Sequence, residues 1–398
     1  MTVDLARTRV HELEDICRHR ITVNSVGELA SCYFTLGDSE KALPLAKQAW
    51  DWDRKNSALA MNLAMIYKDL GRHEESFHVI ESAYWMNPDD FYIQLGYAEA
   101  MLKAGFWKRG WTLYDNARPT QAGAAIDLRI PANVPEWNGQ PLKDTEKLLV
   151  INEGGMGDRL SYARWLPKLT EMGVPWLFYP YAPSFPFHER VFPRELLVAD
   201  GDEIDGFTHW CTTFSLPSKL NCGPLEIPPP LSFTALPEKI QQFTIKRVDT
   251  KPVIGLCFKA AEMFQGGRTV RSLNASQAMR LRCMTGDIIH WVNLQFGEPQ
   301  DPPIVNPHLK SWEDTAGLIH NLDAVVAVDT AVMHLAGGMK KPMAVLLASN
   351  SCWKYLRTGR KLPLYPTARF YRNDGHGAGF EHAINELVLA LRSGTAFQ

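Results

Sequence analysis

The chain has 398 residues, enough for two or three domains that each bury a hydrophobic core. Its 42 Lys and Arg residues nearly balance 44 Asp and Glu residues, so no overall basic field indicates binding to nucleic acid or anionic lipid. Apolar residues make up 45% and charged residues 22% of the chain, which excludes a largely disordered protein.

Seven cysteines are spread along the chain without a Cys-x-x-Cys pair, which favours a reducing compartment. The N-terminus lacks the apolar core of a signal peptide, and no run approaches the ~18 consecutive apolar residues of a membrane-spanning helix. We therefore expect a cytoplasmic protein without a transmembrane segment, and leave open whether it works beside a membrane.

Glycines and alanines recur with a period of 34 residues in the N-terminal third of the chain. The glycines are Gly37, Gly71 and Gly105, and the alanines, twelve residues later, are Ala49, Ala83 and Ala117. This period predicts three helix hairpins, because glycine permits a tight turn and alanine lets neighbouring helices approach closely. The pattern resembles the tetratricopeptide repeat over residues 23–120, with residues 1–22 as a capping helix. An accidental period within a helical bundle is the alternative.

The chain changes character after the repeats, because several prolines between residues 118 and 146 prevent a continuous helix. The apolar run KLLVIN (147–152) then predicts a buried parallel strand, followed by the glycine turn EGGMGD (153–158) and a helix. This order is the opening of a Rossmann-like unit. Two further strands are predicted at VPWLFYPY (174–181) and ELLVAD (195–200).

A Pro-rich stretch at residues 223–237 predicts an extended connection to a second lobe. The second lobe is predicted from four more apolar runs separated by helix-compatible sequence, PVIGLCF (252–258), DIIHWVNLQ (287–295), LDAVVAVD (322–329) and KPMAVLLA (341–348). Two such lobes leave a cleft at the carboxyl ends of their strands, where ligands of open α/β sheets bind.

The most informative motif is AVVAVDTAVMHLAGGMKKP (324–342). It predicts a buried strand that ends at Asp329, a helix capped by Thr330, and a stop at Gly337 and Gly338. The free backbone N–H groups at the start of that helix, from Asp329 to Ala331, form a candidate site for a diphosphate. A capped core helix with His334 buried in it is the alternative.

The motif VDTAVMHLAGGMKKP (328–342) resembles the donor-site motif of the heptosyltransferase-like glycosyltransferases, family 9 and its relatives. Other segments are similar to the subgroup in which the catalytic region follows tetratricopeptide repeats. They are GWTLYDNAR (110–118), EWNGQPL (136–142), EGGMGDRLSYARWLP (153–167), RSL (271–273), NLQ (293–295), DTAGLIHNLDAVVAVDTAVMHLAGG (314–338) and CWKYL with LYPTARFYR (352–372).

This resemblance implies a GT-B fold, with two Rossmann-like lobes that bind acceptor and nucleotide-sugar donor respectively. The expected domains are the helical cap and repeats (1–120), an acceptor lobe with its linker (121–237) and a donor lobe (238–398). The resemblance further implies inverting, metal-independent transfer, with no cofactor beyond the nucleotide diphosphate sugar that serves as substrate.

In the acceptor lobe, Gly154, Gly155 and Gly157 would let the backbone approach a substrate. Asp158 matches the proposed general base of heptosyltransferases, which takes the proton of the acceptor hydroxyl. Its alternative role is to cap the following helix.

In the donor lobe, we expect Lys259, Arg268 and Arg271 to contact phosphate oxygens, unless they belong to a solvated loop. Gln295 is expected to contact the base or ribose, and His334 to orient the donor or its phosphate. Aromatic residues after the predicted last strand, Trp353, Tyr365 and the cluster 369–373, either border the cleft or are simply buried.

The sequence thus predicts a glycosyltransferase acting on an acceptor hydroxyl. A non-catalytic scaffold with a degenerate GT-B region is the alternative, because LCFKA (256–260) and EGGMGD (153–158) depart from the family pattern. A third possibility is a transferase whose repeats present a protein substrate. The acceptor is a saccharide, a lipid-linked saccharide or a protein, with nucleic acid disfavoured, and the repeats are expected to contact a partner or a second copy.

Overall fold

The computed structural model describes residues 1–117, 130–131, 133–223, 226–260, 271–296, 305–361, 364–373 and 379–398. Arg268 and the predicted domain boundary at residue 120 lie outside these residues, so both stay predictions. Within the described ranges, no helix combines the length and the apolar character needed to cross a membrane.

Residues 1–117 fold into seven helices. They are α1 (Val3–His19), α2 (Val23–Leu36), α3 (Ser39–Trp52), α4 (Ser57–Asp69), α5 (His73–Met86), α6 (Phe91–Lys103) and α7 (Trp107–Ala117). Helix α1 packs on α2 through Ala6 and Leu13, which are buried. The predicted capping helix and the three helix hairpins are therefore confirmed.

The repeated glycines and alanines act as the period predicts. Gly37, Gly71 and Gly105 have φ values of 90°, 74° and 90°, in the left-handed region that glycine adopts without strain. Each lies between the two helices of a hairpin. Ala49, Ala83 and Ala117 are all buried, so the second helix of each hairpin lies close to its neighbours.

The next lobe has a three-stranded parallel sheet in the order β2-β1-β3, with β1 at Leu148–Ile151, β2 at Trp176–Tyr179 and β3 at His209–Thr212. Its helices are α8 (Met156–Tyr162), α9 (Leu166–Glu171), α10 (Phe185–Glu189) and α11 (Leu216–Lys219), with a 3-10 turn at Ala163–Trp165 between the first two. Every residue of β1 is buried, as expected for a strand covered on both faces.

The predicted strand at 195–200 is wrong. Residues Arg194–Leu196 form a 3-10 turn, and Leu197 makes only an isolated bridge to Phe178 of β2. Pro193 precedes the turn and has no N–H to donate to a sheet. A short apolar run does not by itself distinguish a strand from a buried turn.

The second lobe has five parallel strands in the order β5-β4-β6-β7-β8. They are β4 (Val253–Cys257), β5 (His290–Asn293), β6 (Ala324–Val328), β7 (Met343–Leu347) and β8 (Ala368–Arg372). The helices are α12 (Pro237–Gln242), α13 (Ala275–Cys283), α14 (Trp312–Asn321), α15 (Ala331–Gly338) and α16 (Glu381–Arg392). The predicted fold class, helical repeats followed by two Rossmann-like lobes, is therefore confirmed.

The cluster 369–373 does not follow the last strand, as the sequence predicted, because residues 368–372 are themselves the edge strand β8. The strand reads Ala-Arg-Phe-Tyr-Arg, with both arginines partly exposed and both aromatic residues buried, and it pairs with β7. The two charged residues near its ends concealed the strand.

Helix α15 ends at Gly338, as the glycine pair predicts, and both glycines also make room for neighbouring segments. A Cβ atom on Gly337 would lie 2.3 Å from the ring of Tyr365. A Cβ atom on Gly338 would lie 2.3 Å from the ring of Phe233, in the Pro-rich connection. The backbone N–H of Phe233 donates to the Gly338 carbonyl at 3.1 Å, which fastens the connection to α15.

Gly338→Ala is expected to lower the free energy of unfolding by about 1–3 kcal/mol, because the new methyl group overlaps Phe233 and the Leu231 carbonyl oxygen. Urea denaturation measures the change. Gly96→Ala is the matched control, since this helical glycine faces the flexible sulfur of Met61 at 3.0 Å. We expect that control to be neutral or stabilising, because alanine favours helix. Equal losses in both variants would contradict the packing explanation.

Candidate functional site

The candidate base, Asp158, lies in the first turn of α8, directly after β1. Gly154 has a φ of 78°, and a Cβ atom there would lie 2.9 Å from both Asp158 and the ring of Phe214, so the turn requires glycine. Asp158 Oδ2 accepts a hydrogen bond from the Gly155 N–H at 3.3 Å. Gly155, and not Asp158, occupies the N-cap position, but the carboxylate does cap the helix start from within the first turn.

The other carboxylate oxygen of Asp158 pairs with a lysine that the sequence did not identify. Lys354 Nζ lies 3.1 Å from Asp158 Oδ1, in an ion pair that joins the two lobes. The Lys354 side chain is only 12% exposed and that of Asp158 30%. Burial by itself lowers the pKa of Lys354, but the negative charges of Asp158 and Asp329 outweigh it and hold this pKa above its ordinary value. Lys354 is therefore positively charged.

His334 lies on α15 behind Lys354 and is 2% exposed. Its Nε2 is 3.5 Å from Lys354 Nζ, and its Nδ1 is 2.9 Å from the Tyr365 hydroxyl. Burial, reinforced by the positive charges of Lys354 and Arg164, holds the pKa of His334 well below its usual value, so the ring is neutral. Since an ammonium only donates, Nε2 is the acceptor and the proton on Nδ1 points to Tyr365.

Gly157 brings α8 against the start of α15. A Cβ atom on Gly157 would lie 2.7 Å from the His334 ring and 3.2 Å from Ala331 Cα. Gly157 therefore permits close contact between the lobes, whereas Gly154 and Gly155 are exposed, as an approach to substrate requires.

The start of α15 faces this contact. Thr330 occupies the N-cap position, but its side chain makes no hydrogen bond to the helix, contrary to the predicted cap. The Thr330 hydroxyl instead lies 3.8 Å from Cys257 Sγ, at the end of β4. Ala331 is partly exposed, and the first-turn N–H groups are not capped by Thr330, so this helix start keeps the features of an anion site.

Asp329, at the end of β6, is held by two side chains from other parts of the donor lobe. Its Oδ1 accepts the Tyr355 hydroxyl at 2.5 Å, and Arg271 Nη1 lies 3.6 Å from its Oδ2. Burial and the Asp329 charge raise the pKa of Tyr355 well above its usual value, so Tyr355 stays a hydrogen-bond donor. Arg271 thus lies beside the predicted phosphate site.

Lys259 and Gln295 join the ends of β4 and β5. The Gln295 side chain accepts from the Lys259 N–H at 3.0 Å and donates to the Lys259 carbonyl at 3.2 Å. Cys257 Sγ lies 3.8 Å from Gln295 Oε1 and from the Thr330 hydroxyl, which places these strand ends together. The Lys259 side chain is exposed. The predicted contacts of Gln295 with a nucleoside and of Lys259 with phosphate stay predictions.

Trp353 and Tyr365, which the sequence placed either at the cleft or in the interior, both pack against other side chains. Trp353 meets the rings of Trp111 and Tyr114 in the third hairpin at 5.0 and 5.8 Å. Tyr365 is buried against His334, and the buried guanidinium of Arg164 lies 4.9 Å from its ring. Arg164 also donates to the Leu364 carbonyl at 2.7 Å, which ties the acceptor lobe to the donor lobe.

The structure therefore brings together most of the predicted site, namely Gly157, Asp158, Arg271, Asp329, Thr330, Ala331 and His334. Sequence reasoning missed Lys354, Tyr355 and Arg164. The arrangement places the Asp158 carboxylate and the Lys354 ammonium beside the start of α15. The carboxylate can remove a proton, and the positive groups can stabilise an anion that develops next to it. Among the described residues, no group of three His, Cys, Asp or Glu side chains is arranged to hold a metal ion.

Comparisons with known proteins follow the division of the chain. The tetratricopeptide repeat family model matches residues 58–90, which cover the second hairpin and end just before the third. Protein FlbA of Caulobacter vibrioides is 24% identical over 369 residues, which cover 83% of this chain and 60% of FlbA. The chain therefore spans less than two thirds of the length of this curated relative.

Two solved structures from Escherichia coli are also similar. ADP-heptose lipopolysaccharide heptosyltransferase II shares 14% identity, with 63% of this chain and all of that chain covered and a TM-score of 0.39. The iron-containing dodecameric glycosyltransferase TibC shares 9% identity, with 52% of this chain and 59% of that chain covered and a TM-score of 0.39. The chain is thus similar to the tetratricopeptide repeat over residues 58–90 and has a limited overall similarity to these two structures.

Proposed function

We propose that the protein is a glycosyltransferase that moves a sugar from a nucleotide diphosphate sugar to an acceptor hydroxyl. The observation that carries this proposal is the meeting of Asp158, from one lobe, with Lys354 and His334 of the other, beside the start of α15. A nucleophile and a leaving group must lie on opposite sides of the transferred carbon for direct displacement, and two facing lobes offer that geometry.

Each group has a role in the proposed reaction. Asp158 removes the proton of the acceptor hydroxyl as its oxygen attacks the sugar. The N–H groups at the start of α15, with Arg271 and Lys259 nearby, stabilise the charge on the departing diphosphate. We propose inversion of the sugar by direct displacement and transfer without a metal ion, since the site supplies fixed positive charge of its own.

A non-catalytic scaffold is the competing function, and one observation favours it. The ion pair with Lys354 occupies an oxygen of the candidate base, which must be free to accept a proton during catalysis. Asp158 is nevertheless partly exposed, and the carboxylate has lone pairs beyond the two hydrogen bonds that it accepts.

A panel of nucleotide sugars and nucleotides separates the two functions. We expect at least one of the ADP, UDP or GDP compounds to raise the thermal midpoint, because a ligand at 100 times its Kd stabilises the native state by about 2.7 kcal/mol. Arg271→Ala is expected to weaken that shift, and Arg247→Ala, an exposed arginine paired with Asp323, to leave it unchanged. A protein that binds none of these compounds is a scaffold.

A further inference from the structure

Residues 351–355, which follow β7, contact all three parts of the molecule. We call them the 351–355 segment. Its last three residues form a 3-10 turn, and Lys354 and Tyr355 point from it into the candidate site. The other face of the segment lies against the third helix hairpin, α6 and α7.

The hairpin holds the backbone of this segment through a buried lysine. Lys103, at the end of α6, is only 7% exposed. Its ammonium donates to the Ser351 hydroxyl at 2.8 Å, to the Ser351 carbonyl at 3.0 Å and to the Cys352 carbonyl at 3.4 Å. An ammonium has three N–H donors, and these three acceptors match them. A charged group with this many fixed partners is costly to move.

The hairpin also holds the side chain next to Lys354. Trp111 of α7 is buried, and its ring meets Trp353 edge-on at 5.0 Å, while Tyr114 meets the same ring at 5.8 Å. Aromatic pairs at such distances contribute about 0.5–1.5 kcal/mol beyond the area they bury. The repeats thus hold the three residues that precede Lys354, namely Ser351, Cys352 and Trp353.

On the site side, the segment contacts the candidate base and its neighbours. Lys354 lies 3.1 Å from Asp158 and 3.5 Å from His334, and Tyr355 donates to Asp329. The charged and titratable groups that face Lys354 and His334 are Asp158, Arg164, Arg271, Asp329, Cys352 and Tyr365. An ammonium within hydrogen-bond distance of a carboxylate fixes the orientation of that carboxylate.

We propose that Lys354 is a positioning residue for Asp158, and that the third hairpin, through Lys103 and Trp111, holds the segment that carries Lys354. The inference rests on the proposed glycosyl transfer and adds to it a role for the repeats. They are a structural part of the catalytic centre, in addition to any surface they offer to a partner.

Lys354→Met tests the positioning role of Lys354. We expect kcat to fall ~10²-fold, the effect of a misplaced catalytic group, with little change in the KM for the donor. Lys354→Arg keeps the charge and is expected to restore most of the lost kcat, which a merely structural loss would not allow.

Lys103→Met tests the role of the third hairpin, at a site distant from the reacting groups. We expect ~10-fold lower kcat with little change in the KM for the donor, since coupling through packed contacts is of this order. Ser351→Ala, which removes one of the three acceptors, gives a smaller change of the same sign and guards against a folding defect in Lys103→Met. Lys47→Met, on the exposed face of α3, is the control and leaves kcat unchanged.

A readout without turnover is the ¹⁵N spectrum of the His334 ring. The geometry requires Nε2 to be the acceptor from Lys354, and its resonance is expected to move in Lys354→Met and to return in Lys354→Arg. An unchanged kcat in folded Lys354→Met overturns the positioning role. A kcat that falls in Lys354→Met and stays unchanged in both Lys103→Met and Ser351→Ala overturns the role of the hairpin.

Failure of the proposed function gives a different result. A protein that binds no nucleotide sugar and transfers none is not a glycosyltransferase, and the inference falls with that function. In that case the His334 resonance still responds to Lys354→Met, since the contact itself does not depend on the reaction.

Discussion

Asp158→Asn is expected to lower kcat by ~10²–10⁴-fold, the contribution typical of a general base. The asparagine side-chain oxygen can still accept the Gly155 N–H hydrogen bond, so the turn and the start of α8 stay intact. The proposed donor site lies in the other lobe, at the start of α15, so the Kd for the donor is expected to change little. Initial rates with the donor identified by the nucleotide-sugar panel, together with calorimetry for donor binding, measure the two effects separately.

The control for this prediction is Asp202→Asn. Asp202 is another acceptor-lobe aspartate that accepts a backbone N–H and pairs with an arginine, but it lies at the surface. We expect full activity in that variant. Unchanged turnover in Asp158→Asn would remove Asp158 from the mechanism, and loss of donor binding in the same variant would mean that the ion pair with Lys354 supports the donor site instead.

The repeats and most strands could be predicted because their signals are local. A glycine that recurs with the repeat period marks a turn that needs a left-handed residue, and Gly37, Gly71 and Gly105 have such φ values. Unbroken apolar runs such as 147–152 mark strands that are covered on both faces. These patterns report what the backbone does within a few residues, whereas the order of the strands in each sheet depends on contacts between distant segments.

The glycines of α15 illustrate what local signals leave out. A glycine pair after an apolar helical stretch predicts the helix end, which lies at Gly338, but the pattern does not reveal that these glycines also admit Tyr365 and Phe233. Whether a glycine provides a turn or provides space depends on a neighbour that is distant in sequence. That neighbour becomes visible only in the folded chain.

The candidate site was predicted in part for the same reason. Asp158 and Asp329 each end or follow a strand, and strand ends of parallel sheets gather at one edge. Lys354 is separated from Asp158 by 196 residues and lies in a short turn without periodicity, so nothing in its surroundings distinguishes it from a surface lysine. Its position between Trp353 and Tyr355, two aromatic residues next to the site, was the one available signal.

The acid stability of the protein is expected to depend strongly on His188. This residue is fully buried in the acceptor lobe, among the rings of Phe178, Phe192 and Phe233. Its Nδ1 donates to the Ser184 carbonyl at 2.8 Å, so the neutral ring is satisfied there. Burial lowers the pKa of His188 to about 4, because the apolar surroundings disfavour the charged ring.

The sign of the effect follows from the two states of the chain. An unfolded histidine binds a proton near its usual pKa of 6.5, whereas the folded one does so near 4, so the unfolded state holds more protons between these values. The stabilisation is therefore complete above pH 6.5 and is lost as the pH falls through about 4. The loss amounts to about 3 kcal/mol, and buried His334 adds to it in the same direction.

His188→Phe removes this titration while keeping an aromatic ring in the pocket. We expect the variant to be less stable than the wild type at pH 7 by about 1 kcal/mol, since the hydrogen bond to Ser184 is lost, yet to lose less stability between pH 6.5 and 4. Urea denaturation at several pH values measures both slopes, with His11→Phe as the control because that side chain is 88% exposed. An equal pH dependence of the unfolding free energy in wild type and His188→Phe would mean that other groups govern acid unfolding. It would also mean that His188 binds its proton while the protein stays folded.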